Sequence, residues 1–314
     1  MALSIIEAAK IAANNGEFKK AGVLASFAES SPLLRAMPIV TIPGNSYAYA
    51  RQAELPTVAY RAVNQGFTPS EGKLEIRTEA LKLVGGEVDV DRALVQQMGA
   101  DVRSVHEQMK SIALGQTIGA NIVKGSVAAD SNGFDGLKVR YGGGNSTTIP
   151  VDSSQIIKNA ATAGALSLKA LDAAIDAVDK SIGRRYIVCN QATRRNITAF
   201  LRTSSQITVT RDDYGNQVYS YAGLDMLELD QNGNTQASAA FGDKDSTDSL
   251  YVVALGEGGL HMIQGAGGIS VRDLGEIQTA PVFRTRIDWA CGLVDAHVRC
   301  VARLHYFTNT TAVA

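Results

Sequence analysis

The sequence predicts an α+β chain organised around an extended β-hairpin, and three stretches carry that prediction. Residues 47–51, Tyr-Ala-Tyr-Ala-Arg, alternate with a period of two, as a strand does. Residues 73–80 alternate more strictly, with Leu74, Ile76, Thr78 and Ala80 on one side and Lys73, Glu75, Arg77 and Glu79 on the other. Asp101 then opens a helical stretch that runs to about Lys124, and from Phe134 helices and strands mix down to a last strand near the C-terminus.

In chain order, Ser4-Ile5-Ile6-Glu7 is a capping-box pattern that starts a short helix, which Asn15-Gly16 stops. A second helix covers residues 17–29, with Phe18, Leu24 and Phe27 as anchors, and Ser30-Ser31-Pro32 ends it. These helices carry few large apolar groups, so residues 1–43 are expected to form an arm lying on other surfaces. Between the two limbs of the hairpin, Pro56, Gly66, Pro69 and Gly72 make residues 52–72 an irregular loop. A two-stranded ribbon alone in water is marginally stable at best, so its thin apolar face needs a cover. Either the rest of the chain or a neighbouring copy supplies it.

Asp91 caps a short helix that Gly99 closes. The long helix from Asp101 would span roughly 35 Å at its 1.5 Å rise. Val102, Val105, Met109 and Ile112 form one stripe on it, and Leu114, Ile118 and Ile122 a second, rotated one. Gly115 and Gly119 each cost it on the order of 1 kcal/mol relative to alanine, which implies a close-packed neighbour. Further on, Leu168, Leu171, Ile175 and Val178 mark the buried face of a helix over 166–180, and 186–189 is a short buried strand. Asn190 caps a helix to about Leu201, and 207–221 is a hairpin turning at Asp213-Tyr214-Gly215-Asn216. Residues 230–248 are a polar loop and 250–255 another buried strand. In the last strand Val298, Cys300, Ala302, Leu304 and Tyr306 are expected inside, with His297, Arg299, Arg303 and His305 outside. No internal repeat is visible.

Composition bounds the function classes. At 314 residues and 33.2 kDa the chain can bury a substantial core, as one large domain or two smaller ones. Hydrophobic residues at 45% and charged residues at 19% argue against disorder. A net charge of −1 supplies no basic field for a dedicated nucleic-acid binder. The three cysteines are odd in number and irregularly spaced, so a reducing compartment is expected. The longest uncharged run, 36–50, holds two prolines and is too short to span a bilayer, and the N-terminus lacks signal-peptide features.

Candidate chemistry is weak throughout, and no catalytic, cofactor or metal residue is expected. Cys291, His297, Cys300 and His305 cluster, but Cys300 has the opposite strand parity and no spacing matches a zinc site. The glycines at 142–144, at 256, 258 and 259, and at 265, 267 and 268 lack any phosphate-loop context and read as tight turns between strands. Asp230-Gln231-Asn232-Gly233-Asn234 departs from a calcium loop at Thr235. Asp243, Asp245 and Asp248 read as a solvated loop, and Asp172, Asp176 and Asp179 as the polar side of an amphipathic helix.

The order of elements, together with Phe134-Asp135-Gly136-Leu137, Trp289-Ala290-Cys291-Gly292-Leu293-Val294 and the closing strand, resembles the major capsid protein of tailed bacteriophages, the Hong Kong 97-type shell fold. The resemblance covers about residues 47–307. It implies a helical N-terminal arm (1–43), an extended β-hairpin loop (44–84), a peripheral domain with a long spine helix (85–136 and 281–314) and a mixed α/β axial domain (137–280). It further implies hexamers and pentamers of one chain enclosing double-stranded DNA in a virion capsid built in the host cytoplasm, with scaffolding, portal and decoration proteins as possible partners and no membrane. The hairpin would reach over a neighbour, making Tyr47, Tyr49, Arg51, Lys73, Leu74, Ile76 and Arg77 the expected intersubunit contacts. The arm is too short to include the scaffolding segment that some relatives cleave off, which leaves a processed form, a separate scaffold or none. Some relatives cross-link a loop lysine to a neighbour's asparagine. Lys73 and Lys82 are the lysines available here, with no partner legible, so no cross-link is expected. An encapsulin-type compartment shares the fold and would enclose a cargo enzyme instead. A cytosolic α/β enzyme is the alternative of a different class.

Overall fold

Local hydrogen bonds start the helices where the sequence predicts. In the computed structural model, which describes residues 4–99, 101–142, 153–160, 164–203, 208–211, 217–230, 239–243 and 247–309, the first helix α1 is Ile5–Asn14. The Ser4 hydroxyl accepts from the Glu7 amide at 3.2 Å, and the Glu7 carboxylate accepts from the Ser4 amide at 2.9 Å, the two halves of a capping box. Helix α2 is Phe18–Ser30. It stops at Ser30-Ser31-Pro32 as expected, and Pro32 then opens a further short helix α3, Pro32–Ala36. Proline suits a first helical turn because its missing N–H has no partner there anyway.

Strand β1, Ile39–Ile42, leads to the hairpin strands β2, Ser46–Glu54, and β3, Lys73–Ala80, which pair antiparallel with Ala50 opposite Ile76. After one residue the chain continues as β4, Lys82–Asp91. Asp91 then caps α4, Arg92–Met98, accepting from the Ala93 amide at 2.7 Å, and Gly99 closes it at φ +90°. Helix α5 is Asp101–Lys124. A side chain at Gly115 would start 1.9 Å from Ser30 Oγ, and one at Gly119 2.7 Å from Ser31 Oγ, so both glycines admit the end of α2. The motif at 134–137 turns the chain sharply into α6, Leu137–Arg140: the Gly136 amide bonds Gly125 O at 2.9 Å, and a Cβ there would sit 2.5 Å from Asn121 O.

Strand β5, Ile156–Lys158, is followed by α7, Leu168–Ala177, β6, Arg184–Cys189, and α8, Gln191–Thr203, with the Asn190 side chain accepting from Thr193 N at 2.8 Å. Strands β7, Thr208–Arg211, and β8, Gln217–Tyr221, form the expected hairpin, whose turn lies outside the described residues. The rest is β9, Leu224–Glu228, β10, Asp248–Leu255, β11, Leu260–Glu276, β12, Val282–Asp295, and β13, Val301–Phe307. Among the described residues eleven strands join in one mixed sheet, in the order β4-β12-β11-β10-β6-β9-β8-β7, with β1 beside β11 and β13 bridging β10 and β5. Thus β12 pairs with β4, whereas β13 pairs with β10.

Several expectations change. The arm is no loose attachment: Ile5, Leu24, Phe27, Leu33, Leu34 and Met37 enter the main core with α5 and the sheet, and Phe27 meets Trp289 edge-on at 5.4 Å. Few anchors suffice because each is fully buried. Residues 298–300 are a 3-10 turn, with Arg299 at φ −97°, ψ 27°, so the period-two count fails before β13 begins. Within β13, Arg303 is buried against Asp243 and donates to Tyr141 O at 3.1 Å, while Tyr306 takes φ +70° and lies half-buried. Gly265, Gly267 and Gly268 make a bulge inside β11 and not a turn between strands. The loop expected at 230–248 buries Ala240 and Phe241. A second core lies between α7, α8 and strands β6, β10 and β13, and a small third one sits at the hairpin root.

Candidate intersubunit surface and the hairpin root

The alternation of β2 and β3 fixes two faces, and the structure assigns them against simple expectation. The side turned toward the chain's own body carries Tyr47, Tyr49 and Arg51 from β2, opposite Glu79, Arg77 and Glu75 from β3. The outward side pairs Ala48 with Thr78, Ala50 with Ile76 and Gln52 with Leu74. Leu74 and Ile76 are 72% and 77% exposed. The ribbon therefore lies polar side in and apolar side out.

Asp295, at the end of β12 and fully buried, organises the inward side. Its carboxylate accepts from Tyr49 Oη at 2.8 Å, from Arg51 at 3.1 Å and from Arg140 at 2.8 Å. Arg140 fills the rest of its guanidinium fork: Nε donates to Asp135 O at 2.8 Å, and Nη2 donates to Leu293 O at 3.1 Å and pairs with Glu79 at 2.8 Å. Arg51 also reaches Glu75 at 3.5 Å, and Arg77 meets Glu75 at 2.9 Å. Buried charges are tolerable when paired and hydrogen-bonded in this way. Burial pushes the Tyr49 phenol up, and the neighbouring Asp295 carboxylate adds to the shift. Burial likewise raises the Glu79 carboxyl, with Arg140 pulling it back. Tyr47 stacks on Tyr49 at 5.9 Å and meets the buried His261 edge-on at 6.4 Å.

Of the seven expected contact residues, Lys73, Leu74 and Ile76 are exposed. Tyr49, Arg51 and Arg77 instead face this chain's own body, because Asp295 and Glu75 recruit them, and Tyr47 is half-buried beside them. Residues 55–72 are exposed throughout, including Leu55, Val58, Tyr60, Val63 and Phe67. The bonds of this loop are internal: Ser70 Oγ donates to Thr57 O at 2.9 Å, and Arg61 donates to Gln65 O at 3.0 Å and lies over the Phe67 ring at 5.1 Å. These apolar tip residues escaped the sequence reading, although five large apolar groups in one loop were the available signal. Asp295 gives a fainter one, a single charge ending the apolar run from Trp289 to Val294. On α5 the two stripes part company: Leu114, Ile118 and Ile122 are buried, while Val105 and Met109 are exposed.

The other candidates have structural explanations. Cys291 and Cys300 are buried thiols, and His297 accepts from Arg299 N at 3.0 Å to cap the 3-10 turn. Asp243 pairs with Arg303 and with Lys138 at 3.2 Å, and Asp248 accepts from Asn309 at 2.6 Å. Residues 231–238 and Asp245 lie outside the described residues. Asp172 and Asp176 are exposed, and Asp172 accepts from Tyr221 Oη at 2.9 Å. Lys82 donates to Ser131 O at 2.9 Å. Among the described residues no three His, Cys, Asp or Glu side chains converge as a metal site, and no helix is long and apolar enough to cross a membrane.

Comparison with known proteins finds one matching family model and several structures of similar fold. Residues 15–167, from the arm through the hairpin and α5, match the family described as major capsid protein GP7. Among solved structures, the holo-SrpI encapsulin complex from Synechococcus elongatus PCC 7942 is 13% identical over 90% of this chain and 89% of that one, with a TM-score of 0.64. The capsid of the native GTA particle is 12% identical over 89% and 91%, with a TM-score of 0.62. A structure from Mycobacterium phage Adephagia is 13% identical over 90% and 91%, also with a TM-score of 0.62. No curated protein sequence matches. Identities this low speak for the fold alone.

Proposed function

We infer that this chain, a major capsid protein with the Hong Kong 97-type fold, assembles with copies of itself into the icosahedral head of a tailed bacteriophage around double-stranded DNA. The observation that carries the reading is the hairpin, whose apolar side and apolar tip project away from the body. Exposed apolar surface of this extent marks an interaction site. Each copy would donate its hairpin to one neighbour and receive another's, a head-to-tail contact that closes into rings. Lys73, Leu74 and Ile76 would lie in that contact with the loop tip, and many modest interfaces would sum to a stable lattice. On this reading the rings are hexamers and pentamers, with scaffolding and portal proteins as accessory partners. The head is the site of residence in the virion, after assembly in the host.

The experiment is sedimentation and negative-stain electron microscopy of the purified chain, with nuclease treatment before nucleic acid is extracted from any particles. Shells or capsomers far above 33.2 kDa are expected. Monomer alone, with and without candidate scaffolds, overturns the reading. Particles filled with protein cargo and no DNA would assign the chain to the compartment class, whose fold it shares.

A further inference from the structure

Resting on the shell reading and extending it, we propose that Arg140 and Asp295 are positioning residues that set the angle at which the hairpin leaves the body. The hairpin reaches its own chain through charges and hydrogen bonds far more than through apolar packing. The apolar patch at its root is small, with Tyr49 the hairpin's buried member beside Ile42, Ile263 and Val294. Apolar contacts allow sliding, whereas charge-assisted hydrogen bonds demand distance and direction together.

Both strands are held. Tyr49 and Arg51 fasten β2 to Asp295, and Glu79 fastens β3 to Arg140. A ribbon gripped on one strand could roll about it; gripped on two, it cannot. Arg140 also ties the turn after α5, through Asp135 O, to the end of β12, through Leu293 O and Asp295. Two separate stretches of chain thus meet the hairpin at one guanidinium. The planar fork can hold all of them, and a lysine ammonium at the same place cannot. The consequence is a hairpin presented to the next copy already aimed, which removes an ordering cost from each contact.

The test uses the full chain. Tyr49→Phe with Glu79→Gln removes hairpin-side partners and leaves the Arg140–Asp295 pair intact in the body. Arg140→Lys is the second variant. Spin labels on Gln65→Cys in the loop and Lys169→Cys on α7 report the hairpin-to-body distance in unassembled subunits, and the three native cysteines are buried from the reagent. A narrow distance distribution is expected in the parent chain and a broad one in both variants, with the near-UV circular dichroism of the body retained in the double variant. If only about a tenth of hairpins remain correctly aimed, the subunit concentration needed for assembly rises about tenfold. Unchanged width and unchanged threshold in the double variant overturn the proposal, as does loss of the body's near-UV signal in that variant, which would make these side chains general core groups. A parent chain that never assembles would defeat the shell reading, while the distance comparison would still decide the role of Arg140 and Asp295.

Discussion

Excising residues 55–72 and joining Glu54 to Lys73 through Asn-Gly should separate the stability of the subunit from its ability to assemble. The two flanking residues already pair across the ribbon, and Asn-Gly is the turn that favours such a closure. The loop bonds to itself and is exposed along its length, so the core loses nothing. Shortening an eighteen-residue loop to two residues is just over three halvings, and at about 0.6 kcal/mol each the subunit should gain about 2 kcal/mol. Assembly should respond in the opposite direction. Leu55, Val58, Tyr60, Val63 and Phe67 are removed, each worth about 1.5–3 kcal/mol if fully buried in a contact, or roughly 7–15 kcal/mol gross per hairpin before ordering costs. The assay pairs thermal melting of unassembled subunits with sedimentation of assembly reactions. The expected outcome is a melting temperature equal to or slightly above the parent's, with particles absent or stalled at capsomers. Normal shells from the excised chain would refute the assembly argument, and a subunit that melts far lower would show that the loop packs on its own body.

Three further outcomes follow from other parts of the structure. Leu74→Asp with Ile76→Asp should leave subunit stability within about 0.5 kcal/mol, because both side chains are exposed, yet abolish particles by placing carboxylates in a contact; particles at normal yield would remove Leu74 and Ile76 from the interface. Gly115→Val should destabilise by roughly 1–3 kcal/mol, since its Cβ would collide with Ser30 Oγ at 1.9 Å, and Ser30→Gly in the same chain should restore part of that in urea melts; no rescue would mean the clash lies elsewhere. Burial holds the His261 pKa below the usual 6.5, so its neutral ring contributes stability that is whole above pH 6.5 and is lost as pH falls toward the folded value. His261→Phe should flatten the decline of the urea midpoint between pH 6.5 and 5, leaving the share due to His305, whose pKa burial also lowers; an unchanged slope would contradict the assignment.

Much of the secondary structure was legible because it is set by bonds that span a few residues. The capping box at Ser4 and Glu7, the Asp91 and Asn190 caps and the Gly99 stop each close within four positions of the chain. Strands β4, β11 and β12 were not read as such. In them glycines interrupt the apolar pattern, and their charged faces form a cross-strand ladder in which Arg284 pairs with Asp89 at 2.7 Å and with Glu87 at 2.9 Å, invisible until the strands are adjacent. The last strand was half right. Ala302 and Leu304 are buried as expected, but the turn at Arg299 and the Asp243 partner of Arg303 upset the parity on either side.

By itself the sequence determined that a two-faced ribbon exists and that a long helix with two glycines follows it, since periodicity and propensity are properties of neighbouring residues. Which face of the ribbon turns inward was left to the tertiary structure. An alternating strand is equally self-consistent either way up, and the choice here falls to Asp295 and Arg140, bonded to hairpin side chains or to each other across 246, 244 and 155 positions. Those long-range bonds hold the charged side against the body and leave Leu74 and Ile76 exposed.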